Sequence, residues 1–290
     1  MSTPKYELEH SLTIAERDRL MEDLDRDGFI ILPQTLPQWV IEETNQALDR
    51  IVADDRKFDP GRLVFSRTNI IELDPMFRWL MMYKPALQMT YDCLGPEFVL
   101  SQDKFMVKFQ HNPEGPRSGA AISWHSDGPG NFPMVDGRCP LHTLRFGFTL
   151  SDSTAEECGG IDLIRGSHKF RNLHARDTLH WQPNAKSREE DFTKGLVRLR
   201  VPMGAIYAFH NGLWHSAQPN RTSITRRIVY LQYTPAWMRP HHRADPTMHD
   251  LQAYTPEERW LLCEPRRPNS WMVGDAQDHS RLARFSRDAE

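Results

Sequence analysis

The segment Trp124-His125-Ser126-Asp127 sets an imidazole and a carboxylate two residues apart. On a strand, side chains at i and i+2 leave the same face, so His125 and Asp127 can reach one cation. A third ligand must come from elsewhere, and the stretch Gly204 to Asn220 offers two histidines, His210 and His215. Two histidines and one carboxylate form a facial triad that leaves positions open on a cation such as Fe(II). Eleven residues past His215 stands Arg226, in a segment, Thr225 to Tyr230, that alternates like a strand. A guanidinium inside a barrel needs a partner, because burying an unpaired charge is costly. A carboxylate taken bidentately fits its shape. Arg227 is the rival: neighbouring strand residues face opposite sides, so one of the two points inward.

Two other patterns carry no such chemistry. Asp23-x-Asp25-x-Asp27-Gly28 copies the first half of an EF-hand loop, but Gln34 stands where the bidentate Glu of a calcium site belongs. The three carboxylates read instead as the solvated face of a helix ending at a glycine. The four cysteines, Cys93, Cys139, Cys158 and Cys263, are scattered without a CxxC, which gives no support to a structural zinc site or redox pair and reads as free thiols.

The elements that must position these residues fall into two blocks. Thr13 and Glu16 form a capping box ahead of an apolar-periodic helix that ends at Asp27-Gly28, followed by a short strand over Phe29–Leu32. Pro33 and Pro37 bracket a turn, and helices follow over 38–53 and 84–94, the last stopped by Gly95-Pro96. From residue 98 short strand-like runs take over, at 98–109, 120–125, 142–151, 160–165, 197–202, 205–210 and 226–234. Helices first and strands afterwards predict an α+β chain with an antiparallel sandwich or barrel. Two long polar connections, 128–140 and about 172–195, are candidate lids.

The 290 residues carry 36 Lys+Arg against 39 Asp+Glu, a net charge of −3. That balance gives no field or basic stripe for nucleic acid. No apolar run reaches the ~20 residues needed to cross a bilayer, and no signal-peptide h-region opens the chain. These features predict a cytoplasmic protein with neither nucleic acid nor membrane as partner.

Taken in order, the motifs resemble the phytanoyl-CoA dioxygenase family of Fe(II)/2-oxoglutarate-dependent oxygenases. The shared pattern is His125-x-Asp127, then Cys158-Gly159-Gly160 leading to Gly166-Ser167-His168, then His215-Ser216 with Asn220 five and Arg226 eleven residues past His215. The Asp27 to Leu32 strand also matches, so the resemblance covers roughly residues 13 to 240. It implies a double-stranded β-helix (jelly-roll, cupin-like) core with N-terminal helices packed on it. It also implies three participants: Fe(II), 2-oxoglutarate as co-substrate, and O2.

In the family's register the metal ligands are His125, Asp127 and His215, with His210 a hydrogen-bonding neighbour of the site. Arg226 takes the distal carboxylate of 2-oxoglutarate. Lys108, with Gln102 a weaker candidate, is either a co-substrate neighbour or a solvated strand lysine. Ser216 stands beside the distal ligand, and His168 is a turn-capping residue. Retention of Asp127 points to hydroxylation rather than halogenation. The implied substrate is a small organic molecule of specialised (secondary) metabolism. Trp214, Trp237 and Arg239 are candidate cavity residues, and Phe132 and Met134 are candidate lid residues.

The alternatives are a redox-inert cupin-like isomerase or hydrolase, which has no use for Arg226, and a non-catalytic relative, which would be expected to have lost ligands. The organisation expected is one domain over 1–290, with a mainly helical part at 1–97, the jelly-roll core at 98–240 and a C-terminal extension at 241–290.

Overall fold

The structure is a computed structural model that describes residues 11–55, 63–110, 124–127, 135, 138–169, 194–238, 253–262 and 282–287. Its helices are α1 (Ile14–Asp27), α2 (Gln38–Asp54), α3 (Pro75–Met81), α4 (Lys84–Leu94) and α5 (Pro256–Leu261). Its strands are β1 (Phe29–Thr35), β2 (Val64–Thr68), β3 (Phe98–Lys108), β4 (Leu144–Thr149), β5 (Ile161–Ile164), β6 (Leu196–Leu199), β7 (Ala205–His210), β8 (His215–Ala217) and β9 (Arg226–Pro235). They form two sheets, in the orders β1-β7-β4-β9-β3-β2 and β6-β5-β8, and these strands pair antiparallel throughout. This is the α+β antiparallel architecture that the sequence predicts, with the jelly-roll core that the family resemblance implies.

The large sheet is buried on both faces. Phe105, Phe146, Phe148, Val229, Leu231 and Tyr233 pack against the helices in one cluster. Their strand neighbours Met106, Tyr207, Phe209, Ile228 and Tyr230 pack toward the small sheet with Ile161 and Leu163. Two covered faces leave β3 buried along nearly its whole length, its polar and charged residues included. The second face is the barrel interior, and strand parity decides which side chains enter it.

The helical layer begins where expected. Thr13 accepts from Glu16 N while the Glu16 side chain accepts from Thr13 N. The buried Arg17 pairs bidentately with Asp92 on α4, at 2.8 and 2.6 Å, and donates to the carbonyls of Phe285 and Ser286. Trp260, Leu261, Leu262, Leu282 and Phe285 join the same core cluster, so the described parts of the C-terminal stretch complete the helical layer.

Four local expectations need correction or completion. Pro33 does not bracket a turn but lies inside β1, an edge strand whose register shifts between Ile31 and Thr35; an edge tolerates the missing donor. Pro37 precedes α2. The short elements β2, α3 and β8 are additions, because a few residues give too little periodicity to read. The EF-hand-like carboxylates are engaged by cations: Asp23 by Arg26, Asp25 by Lys169, and Asp27 by Arg26 and Arg165.

Gly28 ties helix to barrel. Its φ of +82° lets it close α1 with N–H donated to Leu24 O, while its own carbonyl accepts from His210 N and the preceding Asp27 carbonyl accepts from Gly166 N. A Cβ at this position would lie 2.5 Å from His168 Nδ1 and 2.6 Å from Leu213 Cδ1. Gly28→Ala is therefore expected to destabilise the protein by about 2–4 kcal/mol through left-handed backbone strain and overpacking. Denaturant unfolding of the two proteins checks this.

Candidate metal centre

His125 and His215 are opposed across an antiparallel bridge. His125 N donates to His215 O at 3.0 Å, and His215 N donates back at 2.8 Å. Directly opposed residues project to the same side of a ladder, and the two imidazole centroids lie 4.3 Å apart. Asp127, two residues on, joins them: its Oδ1 is 3.7 Å from His125 Nε2 and its Oδ2 is 3.8 Å from His215 Nε2. One donor atom from each of the three residues lies within 4.8 Å of the other two.

The donor set fits a divalent cation. The carboxylate-to-imidazole distances are too long for hydrogen bonds but suit ligands that share one ion. His215 Nδ1 donates to Leu213 O at 3.0 Å, which leaves the Nε2 lone pair toward the group. Burial lowers the His215 pKa to about 4, so the ring is neutral, as ligation requires. For Asp127, burial pushes the carboxyl pKa up, but Arg145, His215 and His125 together hold it below the ordinary value. Asp127 Oδ2 is buried without an aligned hydrogen bond, and Arg145 Nη1 lies 2.9 Å from it as an ion pair.

Arg226 lies deeper in the barrel. It is 3% exposed; its Nη2 donates to Tyr230 Oη at 3.4 Å, and its Nε has no hydrogen-bond partner among the described residues. An unpartnered buried guanidinium nitrogen is what an anion site looks like without its anion. Tyr230 and Tyr207 share a 3.0 Å hydroxyl contact. Gly147 makes room for it, since a Cβ there would meet the Tyr207 ring at 2.6 Å. Arg227 points the other way and pairs with Asp49 on α2 at 2.7 Å, which resolves the choice between the two arginines by strand parity.

Lys108 is opposite Arg226 in the β3–β9 register and only 2% exposed, so it is no solvated strand lysine. Its Nζ donates to Gln218 O at 2.6 Å. Burial, then repulsion from Arg226, lowers its pKa to about 7. Asn220 fixes this corner by donating to Lys108 O and Ile224 O. Gly159 allows the approach, as its Cβ would sit 2.8 Å from Asn220 Cβ.

Other candidates sit elsewhere. Gln102 accepts from Arg145 Nη2 at 2.7 Å, at the opposite end of the β3 face from Lys108. Ser216 alternates with His215 and accepts from Gln218 Nε2 at 3.3 Å. The His210 ring turns toward His168. The two rings pack 4.8 Å apart, and both line a separate cavity of about 770 Å³ bounded by Met21, Leu24 and Cys139. His168 holds its turn, with Nε2 3.0 Å from Asp25 O, and Ser167 Oγ accepts from Trp214 N. Trp214 is buried with Ile164 and Trp124, whereas Trp237 is 76% exposed. Phe132, Met134 and Arg239 lie outside the described residues, as does most of both long connections.

Sequence reasoning missed Arg145, Gln232, Lys104, Tyr207 and Tyr230. Parity from Arg226 reaches Tyr230 and Gln232, and parity from Lys108 reaches Lys104. Arg145 had a signal of its own, a single charge within Leu144-Arg145-Phe146-Gly147-Phe148.

Comparison with known proteins gives the chain a family and a shared fold. The profile of the family described as phytanoyl-CoA dioxygenase (PhyH) matches residues 24–228. The probable alpha-ketoglutarate-dependent hypophosphite dioxygenase of Stutzerimonas stutzeri is 30% identical over 127 residues, 42% of each chain, so the match spans less than half of that relative. The ectoine dioxygenase of Nocardia farcinica is 21% identical over 236 residues, 73% of this chain and 76% of the relative. Among solved structures, the epimerase SnoN in complex with Fe3+, alpha ketoglutarate and nogalamycin RO superposes with a TM-score of 0.63 at 19% identity. That superposition covers 78% of this chain and 87% of SnoN and shows a shared fold.

The lowered pKa of Lys108 has a consequence for stability. Its folded value of about 7 lies below the unfolded value. Between the two values the unfolded chain binds more protons, so this residue's contribution to stability rises with pH; below pH ~7 the cost of the buried charge is fully present. Lys108→Met is expected to be more stable than the parent at pH 6, by on the order of 2–4 kcal/mol, and to lose that advantage as pH rises toward 10. Unfolding free energies across this range test the sign.

Proposed function

The chain belongs to the phytanoyl-CoA dioxygenase (PhyH) family, and from that premise we propose that it is an Fe(II)- and 2-oxoglutarate-dependent dioxygenase that hydroxylates a C–H bond of a small organic metabolite. One observation carries the reading: a two-histidine, one-carboxylate group shares a barrel interior with Arg226, which is buried with its Nε unpartnered among the described residues. His125, Asp127 and His215 are the iron ligands. Arg226, with Lys108 across the ladder, takes the distal carboxylate of 2-oxoglutarate. When bound, iron and 2-oxoglutarate supply the oxidising chemistry, with O2 consumed and succinate and CO2 released.

The rest of the work belongs to the chain. The Tyr230 hydroxyl steadies the Arg226 fork, and burial keeps Tyr207 protonated, its pKa well above the ordinary value. Met106 and Ile228 lie one inward step from Lys108 and Arg226 on the same strands and belong to the interior cluster. They exclude water and so strengthen the charge contacts. The neutral His215 offers its Nε2 lone pair at neutral pH.

A redox-inert cupin-like enzyme would leave the cost of burying Arg226 and Lys108 unexplained. The named relatives support a small-molecule substrate: one is an ectoine dioxygenase and another is solved with nogalamycin RO. We read the whole chain as one domain and as cytoplasmic; among the described residues no helix is long and apolar enough to cross a membrane.

The test is oxygen-dependent succinate formation by purified protein given Fe(II), 2-oxoglutarate and ascorbate, with and without a panel of small metabolites. His125→Ala is expected to abolish it. Arg226→Met is expected to weaken 2-oxoglutarate binding by about two orders of magnitude, the cost of removing a buried charge partner. Arg227→Met is expected to leave it unchanged. Absence of succinate from iron-loaded protein under every condition, or equal losses in Arg226→Met and Arg227→Met, refutes the assignment.

A further inference from the structure

Neither metal ligation nor the Arg226 anion site requires Arg145, a charge on an otherwise apolar strand. Its guanidinium is nevertheless held on three sides. Nε and Nη2 donate to Gln232 Oε1 at 3.0 and 2.7 Å, Nη2 also donates to Gln102 Oε1 at 2.7 Å, and Nη1 lies 2.9 Å from Asp127 Oδ2. Strand register builds this row. Arg145 faces Gln232 across β4–β9, and Gln232 faces Gln102 across β9–β3.

The second pairing sits beside a bulge. Leu100 pairs with Tyr233 and Gln102 with Gln232, so Ser101 is the extra residue. From Gln102 to Lys108 the register is unbroken, so alternation sets Gln102 on the inward face with Lys104 and Lys108. Ser101 also orients the amide: its Oγ donates to Gln232 O at 3.1 Å and accepts from Gln232 Nε2 at 3.3 Å, which turns Gln232 Oε1 toward Arg145.

Asp127 needs such a hold. The backbone bridge fixes both histidines, but Asp127 stands beyond the bridge and outside any strand. We propose that Arg145, clamped by Gln102 and Gln232, is a positioning residue that holds Asp127 in its ligating orientation, with Oδ2 against the guanidinium and Oδ1 left for the cation. This rests on the metal reading above. Charge alone makes the opposite prediction, because a cation beside a ligand carboxylate repels a metal ion.

The test uses Co(II) as a stand-in for iron, read by its d–d absorption, on the full chain and three variants. Arg145→Lys keeps the charge and loses the fork; Gln232→Met loosens the clamp with no change in charge; Asp127→Ala removes the ligand. Arg145→Lys and Gln232→Met are expected to bind Co(II) about 10–100-fold more weakly, as when a metal ligand loses its hydrogen-bonding support, and to change the band shape. Unchanged or tighter binding in Gln232→Met, a substitution mild enough to retain the fold, overturns the proposal. Failure of the parent protein to bind Co(II), or Asp127→Ala binding as well as the parent, instead removes the metal reading and the clamp with it.

Discussion

Two backbone hydrogen bonds between His125 and His215 are the constraint on which the site depends. They join the short segment carrying His125 and Asp127 to the small sheet through β8. Because directly opposed residues share a face, they bring two imidazoles together without any side-chain contact having to hold them. The turn at Gly166-Ser167-His168 supports this arrangement from behind: Ser167 accepts from Trp214 N, next to His215, and His168 meets the end of α1. Helical layer, turn and metal centre thus form one continuous set of contacts through Gly28.

The barrel interior is unusual in its charge. Lys104, Lys108, Arg145 and Arg226 all belong to inward positions of β3, β4 and β9, and Asp127 is a carboxylate that pairs with Arg145 and feels Lys104. Burial lowers the pKa of both lysines, and neighbouring arginines add to the effect. Such a set is costly in an apolar core and becomes favourable when anions enter. The same parity that sends Phe105, Phe146 and Leu231 to the helices sends these cations to the cavity. Gln102 shares the inward parity of Lys104 and Lys108, just past the bulge at Ser101.

Most of the fold was legible because its cues are local. The capping box at Thr13 and Glu16 and the stop at Gly95-Pro96 each use residues within one turn of the boundary they mark. Pro33 was misread because a proline looks the same in a turn and on a sheet edge, and only the strand order says which it is. β8 was missed because three residues carry no period, although it holds His215. Arg145 and Gln232 were missed because their partners stand 87 residues apart in the chain, and no local pattern announces that separation.

The sequence by itself determined the chemical types and their spacing: His125-x-Asp127, two candidate histidines, and two adjacent arginines of which one must turn inward. Tertiary structure made the choices between them. It sends His210 to a different cavity with His168, buries Arg226 and leaves Arg227 on Asp49, and sets Lys108 beside the inward arginine. The physical reason is that alternation along a strand offers two faces without labelling them. Which face is the interior is decided only when the sheet has its helices on one side and the small sheet on the other.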